Sequence, residues 1–323
     1  MNLRIGTRGS PLALWQANHV AELLRGQSHT VEIVIIKTTG DRLHDLAFAQ
    51  VGSKGMFTKE IEEALAGRRV DLAVHSLKDL PTELPEPFVL AATPQRVDPR
   101  DAFVAVKFEN LATLPQRARV GTSSQRRRAQ LKALRPDIET IEFRGNVDTR
   151  LHKLKEGQVD AILLAAAGLD RLGKTEWVRE RLDPRLFCPA AGQGAMGIET
   201  RKNDADTIAA VQLLDDAPTR FAVTAERAAL AALGGGCQVP IGIYCRTGIE
   251  QAVGREPVQG NEIFGVVADP ETGRDVRVHH RETRHLSHNT SADAVALGQL
   301  TAQMLLESGA RPLLAAASAG GPR

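Results

Sequence analysis

Short apolar, strand-like segments alternate with amphipathic helical segments along most of this chain. That alternation constrains the fold more than any other feature, because strands separated by helices form a largely parallel sheet covered by its own crossovers. Leu3 to Thr7 reads as a strand, and Ser10-Pro11 then opens a helix with serine as N-cap, proline at the first helical position and Gly26 as stop. Val31 to Lys37 is a second strand, Thr58 can cap a helix running through Leu65, and Asp71 to His75 is a third strand leading into Ser76-Leu77-Lys78-Asp79-Leu80-Pro81.

The stretch Thr93 to Arg100, polar and interrupted by Pro94 and Pro99, reads as a hinge between domains. A second α/β pattern follows, with strands near 102–106, 119–121, 138–143 and 160–164 and helices starting at about Ser124 and Asn146, ending near Cys188-Pro189. A third unit opens with a helical run from Thr219 to Leu233. It continues through strands at 263–268 and up to His279, and a last helix from Ser291 to Leu306; the tail from Ala315 to Arg323 is expected to fray. A length of 323 residues suits two or three domains.

Several function classes lose ground on composition. The formal net charge is +2 and aromatic residues make up 4%, with one tyrosine, so neither a global attraction for nucleic acid nor a stacking platform for single strands is expected. The chain runs from Met1 straight into a strand-like segment, and no apolar run approaches the roughly 18 residues that cross a bilayer; the expectation is a soluble cytoplasmic protein without membrane attachment. Three cysteines, Cys188, Cys237 and Cys245, with no CxxC pair, give neither a disulfide framework nor zinc spacing.

Among the cysteines, Cys237 stands apart: it follows Gly234-Gly235-Gly236 and precedes Gln238-Val239-Pro240, a permissive loop that can present a sulfur to a bulky group. It reads as an attachment point, with a small buried hydrophobe as the alternative. Gly192-Gln193-Gly194-Ala195-Met196-Gly197 matches GxGxxG but lacks a preceding strand, so a dinucleotide site is not expected. Lys54, in a glycine-containing loop, can contact an anion. His279, His280, His285 and His288 crowd one region, but Arg281 and Arg284 among them would repel a cation; a solvated surface cluster is expected and no metal site.

Arg126-Arg127-Arg128 directly follow Gly121-Thr122-Ser123-Ser124. Three cations on the first turn of a helix oppose its dipole by about 0.3–1 kcal/mol each, a cost an anion would offset with the help of the serine and threonine hydroxyls and backbone N–H groups. Successive residues point about 100° apart, so two arginines can face a ligand and one solvent; a solvated basic face is the alternative. Arg8, Arg144 and Arg150 sit at or just beyond comparable strand ends, where ligands of open α/β sheets bind. Separated arginines in one cleft suit a ligand with several carboxylates. Lys78-Asp79 adds one carboxylate to this basic setting, either as an ion-pair partner or as a catalytic acid.

Gly6-Thr7-Arg8-Gly9-Ser10-Pro11-Leu12-Ala13, His75-Ser76-Leu77-Lys78-Asp79-Leu80-Pro81, Gly121-Thr122-Ser123-Ser124, Arg144-Gly145-Asn146, Gln193-Gly194-Ala195 and the Cys237 loop, in this order, resemble the hydroxymethylbilane synthase (porphobilinogen deaminase) family over nearly the whole chain. The resemblance implies two domains like those of type II periplasmic binding proteins plus a small α/β C-terminal domain. The implied limits are 1–95 with 195–215, 100–190, and 217–323. It implies a dipyrromethane primer joined to Cys237 by a thioether, four porphobilinogen units added with loss of ammonia, and hydrolytic release of a linear tetrapyrrole. On this resemblance Asp79 is the catalytic carboxylate. Arg8, Ser10, Lys54, Lys78, Thr122, Ser123, Ser124, Arg126, Arg127, Arg144 and Arg150 bind cofactor and substrate. A monomer with no metal and no nucleic-acid partner is implied. Gln125 and Arg128 depart from the family pattern without moving a role. A solute-binding protein of the same architecture and a nucleic-acid binder using Arg126 to Arg128 are the rival classes; the absent signal segment and the Cys237 loop weigh against the first, the near-neutral charge against the second.

Overall fold

A computed structural model describes residues 1–38, 58–235, 239–253, 256–283 and 290–319. In chain order its elements begin with β1 (Asn2–Thr7), α1 (Pro11–Gly26), β2 (Thr30–Ile35), α2 (Lys59–Ala66), β3 (Leu72–Ser76) and β4 (Phe88–Ala92). Then come β5 (Asp101–Ala105), β6 (Arg119–Gly121), α3 (Gln125–Leu134), β7 (Glu139–Ile141), α4 (Val147–Lys155), β8 (Ala161–Ala165), α5 (Ala166–Arg171) and β9 (Val178–Arg181). The remainder is β10 (Met196–Arg201), α6 (Ala205–Gln212), α7 (Ala217–Ala232), β11 (Ile241–Val253), β12 (Glu256–Ala268), β13 (Asp275–Thr283), α8 (Ser291–Leu305) and α9 (Arg311–Ala319).

The chain divides into two compact units: Met1–Val97 with Gly194–Arg220, and Asp98–Gln193 with Phe221–Arg323. The first is built on a five-stranded sheet of order β2-β1-β3-β10-β4, in which β1 is parallel to β2 and β3, and β10 runs antiparallel to β3 and β4. The second contains a sheet of order β7-β6-β8-β5-β9, with β6 parallel to β7 and β8, and β5 antiparallel to β8 and β9. Both follow one plan: three parallel strands, an antiparallel strand, then one more. This is the α/β architecture that the alternation of strands and helices leads one to expect, with one antiparallel strand set into each sheet.

Alternation along the buried strands sends side chains to two cores on opposite faces of each sheet. On β3, Leu72 and Val74 join Leu3, Ile5, Val20 and Leu24 of β1 and α1, whereas Ala73 joins Ile61 and Leu65 of α2. On β8, Ala161 and Leu163 pack with Phe103 and Val120, and Ile162 and Leu164 with Ala102 and Val104.

The second unit also contains the antiparallel meander β11-β12-β13. Its core draws on Ala225 and Ala229 of α7, Ile243 and Ile263 of the sheet, and Leu297 and Leu305 of α8. Ala129 and Cys188 pack against Phe264, Val266 and Ala268, so the meander and the five-stranded sheet belong to one unit.

Helix starts follow local chemistry. The hydroxyl of Ser10 accepts from Ala13 N (3.3 Å), that of Ser124 from Arg127 N (3.4 Å), and Asn146 Oδ1 from Thr149 N (2.8 Å). Thr58 precedes α2 but makes no side-chain cap bond. Of the tail expected to fray, residues 315–319 are helical in α9 and 320–323 lie outside the described residues. The GxGxxG run, with Gly192 and Gly194 at φ 73° and 87°, leads into strand β10 rather than a helix; it lacks the helix N-terminus that holds a pyrophosphate.

Candidate functional site

In the first unit the strand ends build one recess. β3 closes with a single 3₁₀ turn, Leu77–Asp79, whose Leu77 is fully buried and donates its N–H to Ala195 O at 3.0 Å. The turn leaves Asp79 exposed and Lys78 half-buried. Asp79 lines a cavity of about 80 Å³ with Arg8 from the end of β1, Ser10 and Gln16 of the α1 start, and His75 and Ser76 of β3. Gln16 and Ser76 are hydrogen-bonded (Nε2 to Oγ, 2.9 Å), and His75 Nε2 meets the fully buried Glu199 Oε2 at 3.0 Å, which ties β3 to β10 beneath the recess. Arg8, Ser10 and Asp79 are thus brought together as side chains of one small concavity.

In the second unit the residues after β6 and β7 form a cationic assembly. Asp101, wholly buried at the start of β5, accepts from Arg126 Nη1 and Nη2 (2.7 and 3.1 Å), from Arg127 Nε (2.9 Å) and from Gln193 Nε2 (3.1 Å). Arg126 also donates to Cys188 O (2.7 Å) and Arg127 to Leu163 O (3.0 Å). Burial pushes the Asp101 carboxyl up, but the charges and hydrogen bonds of the two arginines outweigh it and hold the group well below the usual carboxylate range.

Two guanidiniums of the Arg126-Arg127-Arg128 run do turn inward and one outward, as the helical spacing requires, yet the inward pair faces the chain's own Asp101. Arg128, on the outer side, pairs with Glu271 (3.3 Å). Asp101 was not legible as a site residue. It sits next to a polar stretch that reads as a hinge, and its partners lie 25 and 26 residues further on.

The nearby hydroxyls are partly engaged. Ser123 Oγ donates to Phe143 O (2.8 Å), and Thr122 Oγ1 accepts from Ser124 N (3.2 Å). Arg144, exposed, donates from Nε to Glu142 Oε1 (2.7 Å). Gly145 follows at φ 125°, where an added Cβ would lie 2.8 Å from the Thr149 side chain; the Arg144-Gly145-Asn146 turn therefore requires glycine.

Arg150 is half-buried, and its buried Nε has no hydrogen-bond partner among the described residues. Burial first, then the charge of Arg127 and that of Arg144, bring its guanidinium down to about 10, against the opposing pull of Glu142. Arg126 and Arg127 share one carboxylate, and Arg150 stands close enough to feel Arg127, so the assembly carries uncompensated positive charge in a desolvated place. Buried charge of this kind calls for a counter-anion.

Lys54 and Cys237 lie outside the described residues, as do His285 and His288. His279 Nε2 pairs with Glu262 Oε1 (2.7 Å), and its ring stacks on Phe264 with centroids 4.6 Å apart. Among the described residues no group of three or more His, Cys, Asp or Glu is arranged to hold a metal ion. No described helix is long and apolar enough to cross a membrane.

Two sheets of one plan, each with arginine and hydroxyl side chains at its strand ends, an exposed carboxylate in a recess of the first and a third, meander sheet define a three-sheet α/β protein. Residues 3–209 match the family model described as "Porphobilinogen deaminase, dipyromethane cofactor binding domain", and residues 220–307 match "Porphobilinogen deaminase, C-terminal domain". The chain belongs to the porphobilinogen deaminase family, whose members are transferases. Proteins named porphobilinogen deaminase are 48% identical to it in Nitratidesulfovibrio vulgaris (strain Miyazaki F), over 97% of this chain and 96% of the relative, and 47% identical in a Roseiflexus species, over 97% and 98%. Similar solved structures include a putative methionine-binding lipoprotein from Bacillus subtilis (13% identity, TM-score 0.41, 66% of this chain and 89% of that one). Another is a methionine-binding protein (12%, TM-score 0.43, 66% and 89%).

Proposed function

We propose that this chain is a hydroxymethylbilane synthase: it joins four porphobilinogen units, each losing ammonia, to a dipyrromethane held on Cys237 through a thioether, and releases the linear tetrapyrrole with water. The observation that carries the reading is the contrast between the two sites. One exposed carboxylate, Asp79, stands in a recess of the first unit with Arg8 and Ser10, while the second unit concentrates surplus positive charge around Arg127, Arg144 and Arg150.

The residues present fit a polycarboxylate pyrrole group. A partly desolvated guanidinium with an unpartnered Nε, Arg150, is a ready donor to an acetate or propionate arm. Arg8, Ser10, Lys54, Lys78, Thr122, Ser123, Ser124, Arg127 and Arg144 are the further groups that would hold such arms. Arg126 belongs to this set through Asp101, whose charge it shares with Arg127. When bound, the dipyrromethane supplies an electron-rich ring carbon already fixed to the protein. Asp79 accepts pyrrole N–H bonds and stabilises the positive charge that appears at a ring when ammonia departs.

The domains of this reading are 1–95 with 195–215 (the Asp79 domain), 100–190 (the arginine domain) and 217–323 (the Cys237 domain). The enzyme acts as a cytoplasmic monomer. Intact-mass spectrometry with peptide mapping tests the assignment: the purified chain carries the mass of two linked pyrroles on the peptide containing Cys237, Cys237→Ala lacks it, and Asp79→Asn keeps the mass but turns over at most a few per cent as fast. An unmodified thiol in fully active protein, or a wild-type rate from Asp79→Asn, overturns it.

A further inference from the structure

The second unit holds another concavity, of about 460 Å³, in which neither Asp79 nor any of the arginines assigned above takes part. Its size falls in the range of small-molecule sites, roughly 300–1,000 Å³. One wall is flat and aromatic. Tyr244 of β11 lies directly across from Phe264 of β12, which lies across from His279 of β13. The three rings stack in a row, Tyr244 on Phe264 at 6.3 Å and 10°, Phe264 on His279 at 4.6 Å and 5°. Tyr244 and Phe264 face the cavity, and Pro99 and Pro184 add apolar surface.

The remaining lining is charged, with Arg100, Arg181, Arg185 and Arg246 against Asp98 and Asp183, an excess of two positive charges. Two of the guanidiniums are held in place by carboxylates. Arg100 is bidentate on Asp98 (Nε to Oδ1 3.0 Å, Nη2 to Oδ2 2.7 Å), and Arg181 bridges Asp98 (2.9 Å) and Asp170 (2.6 and 2.9 Å). A guanidinium has five N–H groups, and the three bonds of Arg181 use only part of them. Arg246 is bonded to Glu262, a carboxylate that His279 and Arg281 also share (2.7 and 3.0 Å), so its charge is only partly matched.

We propose that this cavity is a second ligand site, separate from the pyrrole-chain site, and that it takes a small flat aromatic dianion whose ring lies on Tyr244 and whose anionic groups meet Arg246 and Arg181. Stacking and preoriented guanidiniums together select for a ring that carries charge over either feature alone. Aromatic polycarboxylates and nucleoside monophosphates share this chemistry.

Because Tyr244 is the single tyrosine of the chain, the site carries its own reporter. Full-length protein labelled with 3-fluorotyrosine gives one fluorine resonance, which is titrated with benzene-1,3-dicarboxylate, with AMP and with inorganic phosphate. A saturable shift with either aromatic anion, reduced on the order of tenfold in affinity by Arg246→Gln, supports the site, and the tighter of the two ligands identifies the source. Glu262 keeps His279 and Arg281 as partners in that variant, and Arg185→Gln, at a mostly exposed position, serves as a second variant that leaves the packing intact. No saturable shift from either aromatic anion overturns the proposal. So does phosphate binding as tightly as AMP, or unchanged affinity in both variants.

Discussion

Replacing Asp101 by asparagine keeps the shape of the side chain and removes only its charge. In the native structure that carboxylate is fully buried and receives two guanidiniums and the Gln193 amide. The variant leaves Arg126 and Arg127 side by side in a desolvated pocket with backbone carbonyls, Cys188 O and Leu163 O, as their principal acceptors. Removing one member of a buried ion pair costs about 3–5 kcal/mol, which is a large share of the roughly 5–15 kcal/mol that stabilises a domain. Urea denaturation of the full chain followed by far-UV circular dichroism is therefore expected to show a lower midpoint for the transition of the second unit.

The pH dependence gives an independent reading. A carboxyl held below its unfolded value contributes stability that is complete above the unfolded pKa of about 3.9 and is lost as pH falls toward the folded value, because protonation then favours the unfolded chain. Wild type consequently loses stability below about pH 4 partly through Asp101, and Asp101→Asn lacks that component. Arg126→Gln in the Asp101→Asn background recovers part of the loss, since one fewer cation is stranded. A variant within about 1 kcal/mol of wild type at neutral pH, well under the cost of stranding a buried partner, refutes the reasoning.

Arg150→Leu removes a desolvated cation whose Nε has no partner among the described residues, so its stability is expected to stay within about 1 kcal/mol of wild type, while a lost charge-assisted hydrogen bond of about 1.5–3 kcal/mol raises KM on the order of tenfold or more. Denaturation and steady-state kinetics check the two halves separately, and a marked loss of stability with unchanged KM would give the residue a purely structural role. Burial pushes the Cys188 thiol up to about 12, and Cys245 is equally buried, so iodoacetamide at pH 8 is expected to label neither in the native protein and both in urea. Peptide mapping after each treatment decides the point, and native labelling at Cys188 contradicts its burial.

Features set by short-range chemistry were readable in the sequence. Ser10, Ser124 and Asn146 cap helices because the acceptor and its N–H donor are three residues apart. The strand-end positions of Arg8, Asp79, Thr122 to Ser124 and Arg144 followed from the same alternation. Strand β10 was missed because Glu199 and Arg201 hide its apolar character. Their burial is matched by partners: the His75 ring pairs with Glu199, and Arg201 donates to Leu65 O and Val70 O. The arginine run gave the right number of inward-facing side chains but not Asp101, the carboxylate that both of them meet. A local pattern specifies direction, while the carboxylate that receives them comes from a strand edge that no periodicity connects to the helix.

The position of β10 bears on how the chain is made. It lies between β3 and β4, yet it is synthesised after every strand of the five-stranded sheet in the second unit. As the polypeptide leaves the ribosome, β4 has no neighbour to pair with until residue 196 has emerged, whereas β5 to β9 are contiguous in sequence and complete among themselves. The later-encoded five-stranded sheet can therefore close before the N-terminal one, which is completed by a strand delivered after a detour of about a hundred residues.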